Sequence, residues 1–385
     1  MLSKVGKLME GLSDSNRLYG SEKKLFTSSI QGRLCCLVLI IFYLGLWNSA
    51  DGSILAEYID AAKYPSGHYD LVDLKELSIP TYDGSGQCVH PSVKYIPTGW
   101  EGYEWWMAFT PYKKCNDKYE NPSLIASHDG IRWVVPKGLI NPIDPTPKKG
   151  HNADTELVYD GRNMLVYYVE IVKSHVVACH RRIVYPNMSI GAEENCTNFY
   201  PISPAIIRKS VNDWIAWYCD LRSLRLYSAT SKDGLVWTNQ TIVPTNMPQL
   251  VSWHLSTLQI DNSYSFLIAA FTRVKDDNSH TKLYLGTASG PKSIIKMVPI
   301  LSPRVEWAGR EIYRSCMVGS RVYISARDLS NNWHIGCGTI AYNLIGNNLM
   351  IWQPLSEGFL SPNEGNYIYY ENVSLNLNKH LHKRP

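Results

Sequence analysis

One short motif, Ser-x-Asp-Gly-x-x-Trp, restricts the fold of this chain more than any other feature of its sequence. It occurs at residues 127–133 and again at residues 231–237, each time after a short apolar run and before a segment that ends in proline. Asp-Gly favours a tight turn between two strands, and a tryptophan at a fixed distance from that turn can fill a recurring gap in the packing. The motif therefore indicates a repeated β-structure and marks fold rather than chemistry.

The two motifs belong to a longer series of repeats between Gln87 and Pro354. Each repeat begins with a short strand, continues after an Asx or Gly turn with an aromatic strand, and then adds a third strand. Helical periodicity is almost absent from this part of the sequence. Five such units predict an all-β fold, a five-bladed β-propeller, preceded by an N-terminal membrane anchor or signal segment.

Composition agrees with a large folded core and argues against nucleic acid as a partner. Hydrophobic residues make up 45% of the 385 residues and charged residues 19%, which excludes a disordered or fibrous chain. The 25 Tyr and 12 Trp, against 7 Phe, suit a strand-rich fold and a sugar-binding surface equally well. Most of the net charge of +4 comes from residues before 34, so the rest of the chain has no dense basic face.

The N-terminal part of the chain predicts export. A basic segment, 1–33, precedes an uncharged apolar run at 34–48, whose length is close to that of a signal-peptide core and short for a bilayer span. We expect a membrane anchor with residues 1–33 in the cytoplasm, in preference to a cleaved signal, so that the propeller is membrane-anchored outside the cytoplasm or secreted. A connector at 49–80, with one strand that closes the ring, then leads to the propeller at 81–356 and a C-terminal tail at 357–385.

Cysteine and sequon usage agrees with this compartment. Pairing each cysteine with its neighbour would leave Cys219 free and give the disulfides Cys88–Cys115, Cys179–Cys196 and Cys316–Cys337. Four Asn-x-Ser/Thr sequons are available for glycosylation, at Asn187, Asn195, Asn239 and Asn372. No Cys-x-x-Cys or Cys/His cluster has zinc-site spacing, and the sequence predicts neither a metal site of that type nor a cofactor.

Residues 80–355 resemble the five-bladed propeller glycosidases of the arabinanase, xylosidase, fructosidase and levansucrase type, in repeat number and turn motif. The motif differs from the Asp box of sialidases, because Gly130 and Gly234 follow the aspartate directly. The resemblance implies a glycan substrate and hydrolysis by two carboxylates in an axial pocket.

Propeller geometry brings the start of each first strand and the end of each second strand to one face of the ring. Asp154 and Glu311 could oppose each other there as the carboxylate pair. Glu170 follows an apolar strand, so partial burial would raise its pKa as an acid, and His90 titrates near neutrality as a base. Arg314 could clamp an acidic sugar or neutralise Glu311. The remaining substrate-binding candidates are Trp100, Asp220, Trp253, His254, Arg273 and Arg327.

The chain departs from the glycosidases at two of their three catalytic positions. Their general base, an Asp before Pro in the first blade, is matched by His90 before Pro91, and their general acid, a Glu in the third blade, by Ser203. Their second-blade aspartate is matched by Asp154. The sequence therefore leaves three functions open: a glycoside hydrolase with a displaced carboxylate pair, a glycan-binding propeller that has lost catalysis, or a protein-interaction platform.

Overall fold

The computed structural model describes residues 67–272, 281–302, 305–344 and 349–351. Most of these residues are β-strand, so the predicted all-β class is confirmed. The predicted membrane segment at 34–48 and the C-terminal tail lie outside the described residues. Within the described ranges, no helix has the length and apolar character needed to cross a membrane.

Strand β1 (Gly67–Glu76) precedes a series of antiparallel sheets that follow one another along the chain. The first three sheets are blade 1, with β2 (Cys88–Trp100), β3 (Tyr103–Pro111) and β4 (Ser123–Ser127); blade 2, with β5 (His151–Tyr159), β6 (Met164–Val172), β7 (His175–Val184) and β8 (Glu194–Asn195); and blade 3, with β9 (Ile202–Ser210), β10 (Asp213–Asp220), β11 (Arg225–Ser231) and β12 (Trp237–Ile242).

Two further groups of strands complete the fold. They are blade 4, with β13 (Leu250–Ile260), β14 (Ser263–Thr272), β15 (Lys282–Ala288) and β16 (Lys296–Leu301), and blade 5, with β17 (Glu311–Val318), β18 (Arg321–Arg327), β19 (Trp333–Leu344) and β20 (Leu349–Ile351). The short 3-10 helices of the described chain are Lys113–Cys115, Asp117–Tyr119 and Glu306–Ala308.

The first strands of the five blades form a closed ring. Strand β2 contacts β5, β5 contacts β9, β9 contacts β13, β13 contacts β17, and β17 contacts β2 again. A radial arrangement of five blades of antiparallel strands around one axis is a β-propeller, and here β1 joins blades 4 and 5 into one sheet. The first strands therefore line the axis, as the repeat pattern predicts.

Strand β1 closes the ring from the beginning of the propeller. It pairs antiparallel with β19, where Leu71 faces Ile340, and parallel with β16, where Tyr69 faces Ile300. Blade 5 therefore combines β1, which precedes the first repeat, with the strands of the last repeat. This pairing ties the two ends of the ring together and protects the edge of blade 5.

The hydrophobic core consists of layers between neighbouring blades. At the junction of blades 3 and 4, Trp217 packs edge-on against Phe266 with ring centroids 5.3 Å apart. At the junction of blades 2 and 3, Phe199 stacks on Trp237 at 4.6 Å. Burial of one such large side chain contributes about 1.5–3 kcal/mol, so these layers hold the blades in place.

The Ser-x-Asp-Gly-x-x-Trp motif makes the same turn in blades 1 and 3. In blade 3, the Ser231 hydroxyl accepts a hydrogen bond from the Gly234 amide at 2.9 Å, and Asp233 Oδ1 accepts from the next two amides at 2.8 and 2.9 Å. The corresponding bonds in blade 1 measure 2.8 to 2.9 Å. The motif therefore has the structural role that the sequence predicts.

Each motif also joins its blade to the preceding blade of the ring. The Tyr167 hydroxyl and the Arg181 guanidinium of blade 2 donate to the carbonyls of Gly234 and Asp233 at 3.1 and 3.0 Å, while Trp237 is fully buried in the layer between these blades. Blade 5 holds the blade 1 motif in the same way, through Tyr323, Arg321 and Trp133.

The seven cysteines of the described chain are free thiols, so the predicted disulfides are not present. Cys316 and Cys337 both face Tyr323, from opposite sides, which means that strand β18 separates them. Cys179 and Cys196 are direct neighbours, since the Cys196 amide donates to the Cys179 carbonyl at 2.8 Å. Pairing cysteines that are neighbours in the sequence therefore gave one pair that is adjacent in the structure, Cys179 and Cys196, and one pair that a strand separates, Cys316 and Cys337.

We predict that Gly234→Ala destabilises the propeller by about 2–5 kcal/mol. Gly234 has φ of +73°, and an added Cβ would lie 2.5 Å from the buried Tyr167 hydroxyl, so strain and overpacking add together. Gly161→Ala is the matched control, because Gly161 has φ of +93° with open space around its Cβ position. Urea unfolding of both variants measures the difference. Equal losses would show that the Tyr167 contact is unimportant.

Candidate functional site

The pairing of each first strand with its second strand changes register at the same place, close to the beginning of the first strand. The shifts fall between Val89 and Ser92, Ala153 and Glu156, Ile202 and Ala205, Ser252 and His254, and Ile312 and Ser315. Such a bulge breaks the alternation of a strand and re-aims the side chains within it. Each blade therefore presents bulge residues at one end of the axis.

Three of the bulges contain a residue with left-handed backbone. His90 has φ of 60°, Asp154 of 54° and Ser203 of 45°. For residues other than glycine, this conformation costs about 1–3 kcal/mol each, and it is concentrated at functional sites. The surrounding blades hold all three residues in place, because all three are buried.

A cluster of His90, Asp154 and His254, which we call the axial cluster, lies where these bulges meet. Asp154 Oδ1 is 3.4 Å from His90 Nε2 and 3.4 Å from His254 Nδ1. The Ser203 hydroxyl donates to the same oxygen at 2.6 Å and is also in hydrogen-bond contact with His254 Nδ1. Residues from blades 1 to 4 therefore converge on a single carboxylate.

Burial and charge set the ionisation of the cluster. Burial lowers the pKa of His90 to about 3 and lowers that of His254, so both imidazoles are neutral near pH 7. Burial alone would raise the pKa of Asp154, but its contacts with His90, His254 and Arg314 hold that pKa below its usual range. The cluster thus offers two neutral imidazoles and one carboxylate.

Arg314 and Glu156 form a buried ion pair beside the axial cluster. Arg314 Nη2 donates to Glu156 Oε2 at 2.9 Å and to the Pro204 carbonyl at 3.2 Å, while its Nη1 lies 3.8 Å from Asp154 Oδ1. Ser92 donates to Glu156 Oε2 at 2.9 Å. The Arg314 charge is therefore directed mainly to Glu156 and does not neutralise Glu311, contrary to one of its predicted roles.

Glu120 and Tyr313 flank the axial cluster on its other sides. Glu120 Oε1 lies 3.4 Å from His90 Nδ1, and its Oε2 lies 3.5 Å from Nε2 of the partly exposed His151. Burial raises the pKa of Glu120 well above its usual range, and the charges of Asp154 and Asp117 raise it further. The Tyr313 ring packs edge-on against His254 at 4.1 Å.

Sequence reasoning missed these flanking residues. Glu120 belongs to the loop between β3 and β4, where strand alternation gives no direction for a side chain. Tyr313 and Arg314 are consecutive residues inside the β17 bulge, so both approach the axial cluster although alternation would separate them. A loop carboxylate and a bulge tyrosine leave no periodic signal in one sequence.

The axial cluster has the chemistry of a site for a divalent transition-metal ion. One ligand atom from each of His90, Asp154 and His254 lies within 4.8 Å of the others. His254 Nε2 is a buried nitrogen that has no hydrogen-bond partner in the part of the chain that the structure describes. Two neutral imidazoles and a carboxylate are donors that ions such as Zn²⁺ accept. The Nδ1 of His90 lies 3.4 Å from Glu120 Oε1 and is the acceptor for the Asp154 amide at 3.3 Å. The residues therefore fit a metal, although the sequence predicted none.

The structure brings together some of the predicted site residues and separates others from the cluster. His90, Asp154, His254 and Arg314 are together, and Trp253 lies beside them with its indole nitrogen 3.2 Å from the Tyr313 hydroxyl.

The other predicted residues are engaged elsewhere or lie outside the described residues. Glu311 is ion-paired with Arg327 at 2.5 Å, and Glu170 contacts His180 at 3.3 Å. Asp220 accepts from the Ser223 amide in a turn, and Arg273 lies outside the described residues. Trp100 was expected to bind sugar, but it is buried between blades 1 and 2, where its indole donates to the Arg162 carbonyl at 2.8 Å.

Solved structures with the same arrangement of blades include both glycosidases and a deacetylase. An N-acetylgalactosamine deacetylase from F. plautii, in complex with blood group B trisaccharide, matches with a TM-score of 0.60 at 21% identity, over 72% of this chain and 96% of that one. The GH43_1 enzyme from Xanthomonas citri complexed with xylose matches with a TM-score of 0.52 at 10% identity, over 75% and 96%. RS223 β-xylosidase matches with 0.51 at 9% identity, over 72% and 97%.

The chain has the fold of the five-bladed propeller glycosidases. The predicted resemblance is therefore confirmed, and the low identities make this chain a divergent propeller of that structural class. No protein-family model matches the sequence.

One curated relative matches part of this chain more strongly. The A type blood N-acetyl-α-D-galactosamine deacetylase of Flavonifractor plautii is 42% identical over 86 residues, which is 21% of this chain. The match spans 11% of that relative's length.

We predict that Arg314→Met destabilises this propeller by about 3–5 kcal/mol, because it leaves Glu156 buried without its charged partner. Glu156→Gln in the same chain should recover much of the loss, since the amide carries no charge. Chemical denaturation of the two single variants and the double variant measures the coupling. Additive losses would contradict the ion pair.

Proposed function

We propose that this propeller is a metal-dependent deacetylase that removes the acetyl group from an N-acetylated amino sugar of a glycan. The observation that carries the proposal is the axial cluster: at the positions of the glycosidase base and acid the chain has His90 and Ser203, and these residues meet Asp154 and His254 in one buried constellation. The strong partial match to an N-acetylgalactosamine deacetylase supports the same chemistry.

The predicted carboxylate pair has weaker support. Glycoside hydrolysis needs one carboxyl group that holds a proton and a second one facing it across the sugar. Glu311 is ion-paired with Arg327 at 2.5 Å, and Glu170 contacts His180 on blade 2, so each carboxylate already has a partner of its own. Asp154 accepts from Ser203 and is surrounded by imidazoles, so its lone pairs are directed into the cluster.

His90, Asp154 and His254 would hold the ion, and each has a partner that fixes it. His90 Nδ1 faces Thr110 at 3.0 Å and Glu120 at 3.4 Å. Asp154 is held by Ser203 at 2.6 Å. A bound divalent metal supplies Lewis acidity toward the acetamide carbonyl and a water molecule of lowered pKa.

Glu120 is the carboxylate available for proton transfer. It is buried at the edge of the axial cluster and has no arginine or lysine partner among the described residues. In amide hydrolysis, the ionised form of such a carboxyl group takes a proton from the attacking water, and its protonated form, which the raised pKa of Glu120 favours, gives the proton to the nitrogen of the departing amine; the products are acetate and the amino sugar. His151, partly exposed and 3.5 Å from Glu120, connects this position to the outside.

Tyr313 is suited to stabilise charge on the acetyl oxygen. The Trp253 indole donates to the Tyr313 hydroxyl oxygen at 3.2 Å, which leaves the phenolic proton for another acceptor. Burial raises the pKa of Tyr313 above its usual range, so the hydroxyl keeps that proton. A hydroxyl donor fixed in a buried site is the arrangement that stabilises a developing oxyanion.

We further propose that the enzyme works outside the cytoplasm on cell-surface or secreted glycans. The apolar run at 34–48 and its basic flank motivate this, as does the exposure of the sequons Asn187, Asn195 and Asn239 on the propeller. Residues 34–48 would keep the chain at the membrane.

The reaction is tested with the full chain and oligosaccharides that end in N-acetylgalactosamine or N-acetylglucosamine. We expect release of acetate with one new amine per acetate and no new reducing end. Chelation should abolish the release, and Zn²⁺ or Mn²⁺ should restore it. New reducing ends without acetate would establish a glycosidase instead, and the absence of both products would contradict catalysis.

We predict that Glu120→Gln lowers kcat/KM for acetate release by about 10²- to 10⁴-fold, because it removes the proton carrier. The melting temperature should stay close to that of the unchanged protein, and rates are compared at saturating Zn²⁺, because Glu120 also contacts His90. Glu104→Gln is the control, since Glu104 is a surface residue paired with exposed His128 and should leave the rate unchanged. Loss of activity in Glu311→Gln or Glu170→Gln, with Glu120→Gln active, would contradict the assignment.

A further inference from the structure

Ser203 is fully buried beside the axial cluster, and no chemical role has been assigned to it. Its side chain has no solvent exposure, and its backbone has φ of 45°. A serine gains nothing from this conformation by itself, because left-handed backbone is unfavourable for a residue with Cβ. The contacts of its hydroxyl must therefore explain the position.

The Ser203 hydroxyl has two neighbours and only one proton. It donates to Asp154 Oδ1 at 2.6 Å and is in hydrogen-bond contact with His254 Nδ1. An ionised carboxylate only accepts, so the serine proton belongs to Asp154. The serine oxygen can then only accept from His254, which requires a proton on Nδ1 of the imidazole.

This assignment of protons fixes the free lone pair of His254. A neutral imidazole with a proton on Nδ1 has its lone pair on Nε2. His254 Nε2 is buried and has no hydrogen-bond partner among the described residues. The contact with Ser203 therefore leaves Nε2 as the nitrogen of His254 that has a lone pair for a metal ion.

Ser203 cannot act as the nucleophile of a Ser-His-Asp triad. In a triad, serine contacts one imidazole nitrogen and aspartate the other, so that the ring passes a proton between them. Here Ser203 and Asp154 both approach Nδ1 of His254. The geometry suits orientation and not proton relay.

We propose that Ser203 is a positioning residue that holds Asp154 and the Nδ1–H form of His254 ready for a divalent metal ion. The inference rests on the proposed function only through the metal. Partners of this kind typically change metal affinity by about 10- to 100-fold.

The test measures Zn²⁺ binding to the full chain by competition with a chromophoric chelator. Ser203→Ala should weaken Zn²⁺ binding by about 10- to 100-fold. Ser228→Ala is the matched control, because Ser228 is also buried and its hydroxyl has no partner among the described residues. This variant should bind Zn²⁺ as the unchanged protein does. Equal affinity of Ser203→Ala and the unchanged protein would overturn the inference, whereas no Zn²⁺ binding by the unchanged protein would overturn the proposed metal site itself.

A second measurement needs no variant that disturbs Ser203. Nitrogen-15 NMR of the metal-free protein should show the Nδ1–H tautomer for the imidazole whose signal is missing in His254→Gln. An Nε2–H tautomer would overturn the inference, even if Ser203→Ala fails to fold.

Discussion

The site depends on the carboxylate of Asp154, because residues from four blades are directed to it. His90, Ser203 and His254 approach a single oxygen, and Arg314 lies 3.8 Å from the same atom. A buried carboxylate without partners would be costly, and these contacts offset that cost. Asp154 thus fixes the relative positions of the blades at the axis as well as the chemistry of the site.

The blades supply the rigidity that the site requires. His90, Asp154 and Ser203 adopt left-handed backbone, which is unfavourable unless the surroundings impose it. The hydrophobic layers between blades and the two Ser-x-Asp-Gly-x-x-Trp turns hold neighbouring blades together. They therefore keep these three residues in the left-handed conformation. Stability is concentrated between the blades, and strain is concentrated at the axis.

Much of the fold follows from local signals in the sequence. The Ser-x-Asp-Gly-x-x-Trp motif predicts its turn correctly because the hydrogen bonds of that turn join residues only two or three positions apart, such as Ser231 and Asp233. Propeller topology then places His90, Asp154 and His254 at strand starts on one face, which is why these residues could be predicted.

The parts of the site that could not be predicted come from loops and bulges, where side-chain direction follows no periodic pattern in the sequence. Glu120 comes from a loop, and the β17 bulge brings Tyr313 to the cluster next to Arg314. Trp100 ends a strand beside a turn, which looks exposed in sequence, but a neighbouring blade covers it. The three proposed metal ligands also form no recognisable sequence motif, because they lie far apart in the chain, in blades 1, 2 and 4.

The sequence predicts that His90 and Ser203 stand where the glycosidases have their base and acid, and such a replacement would change the chemistry of the axial cluster. A carboxylate pair handles protons on opposite sides of a sugar, whereas imidazoles around a carboxylate bind a cation. The fold is therefore shared with glycosidases, while the chemistry proposed for this site is that of acetyl transfer to water.

The most direct test of this account is a crystal structure of the full chain grown with Zn²⁺, with anomalous differences measured on both sides of the zinc edge. The account predicts one strong anomalous peak bound by His90, Asp154 and His254, with Glu120 beside it. A structure without that peak, in which the three side chains contact one another as in the metal-free cluster, would contradict it.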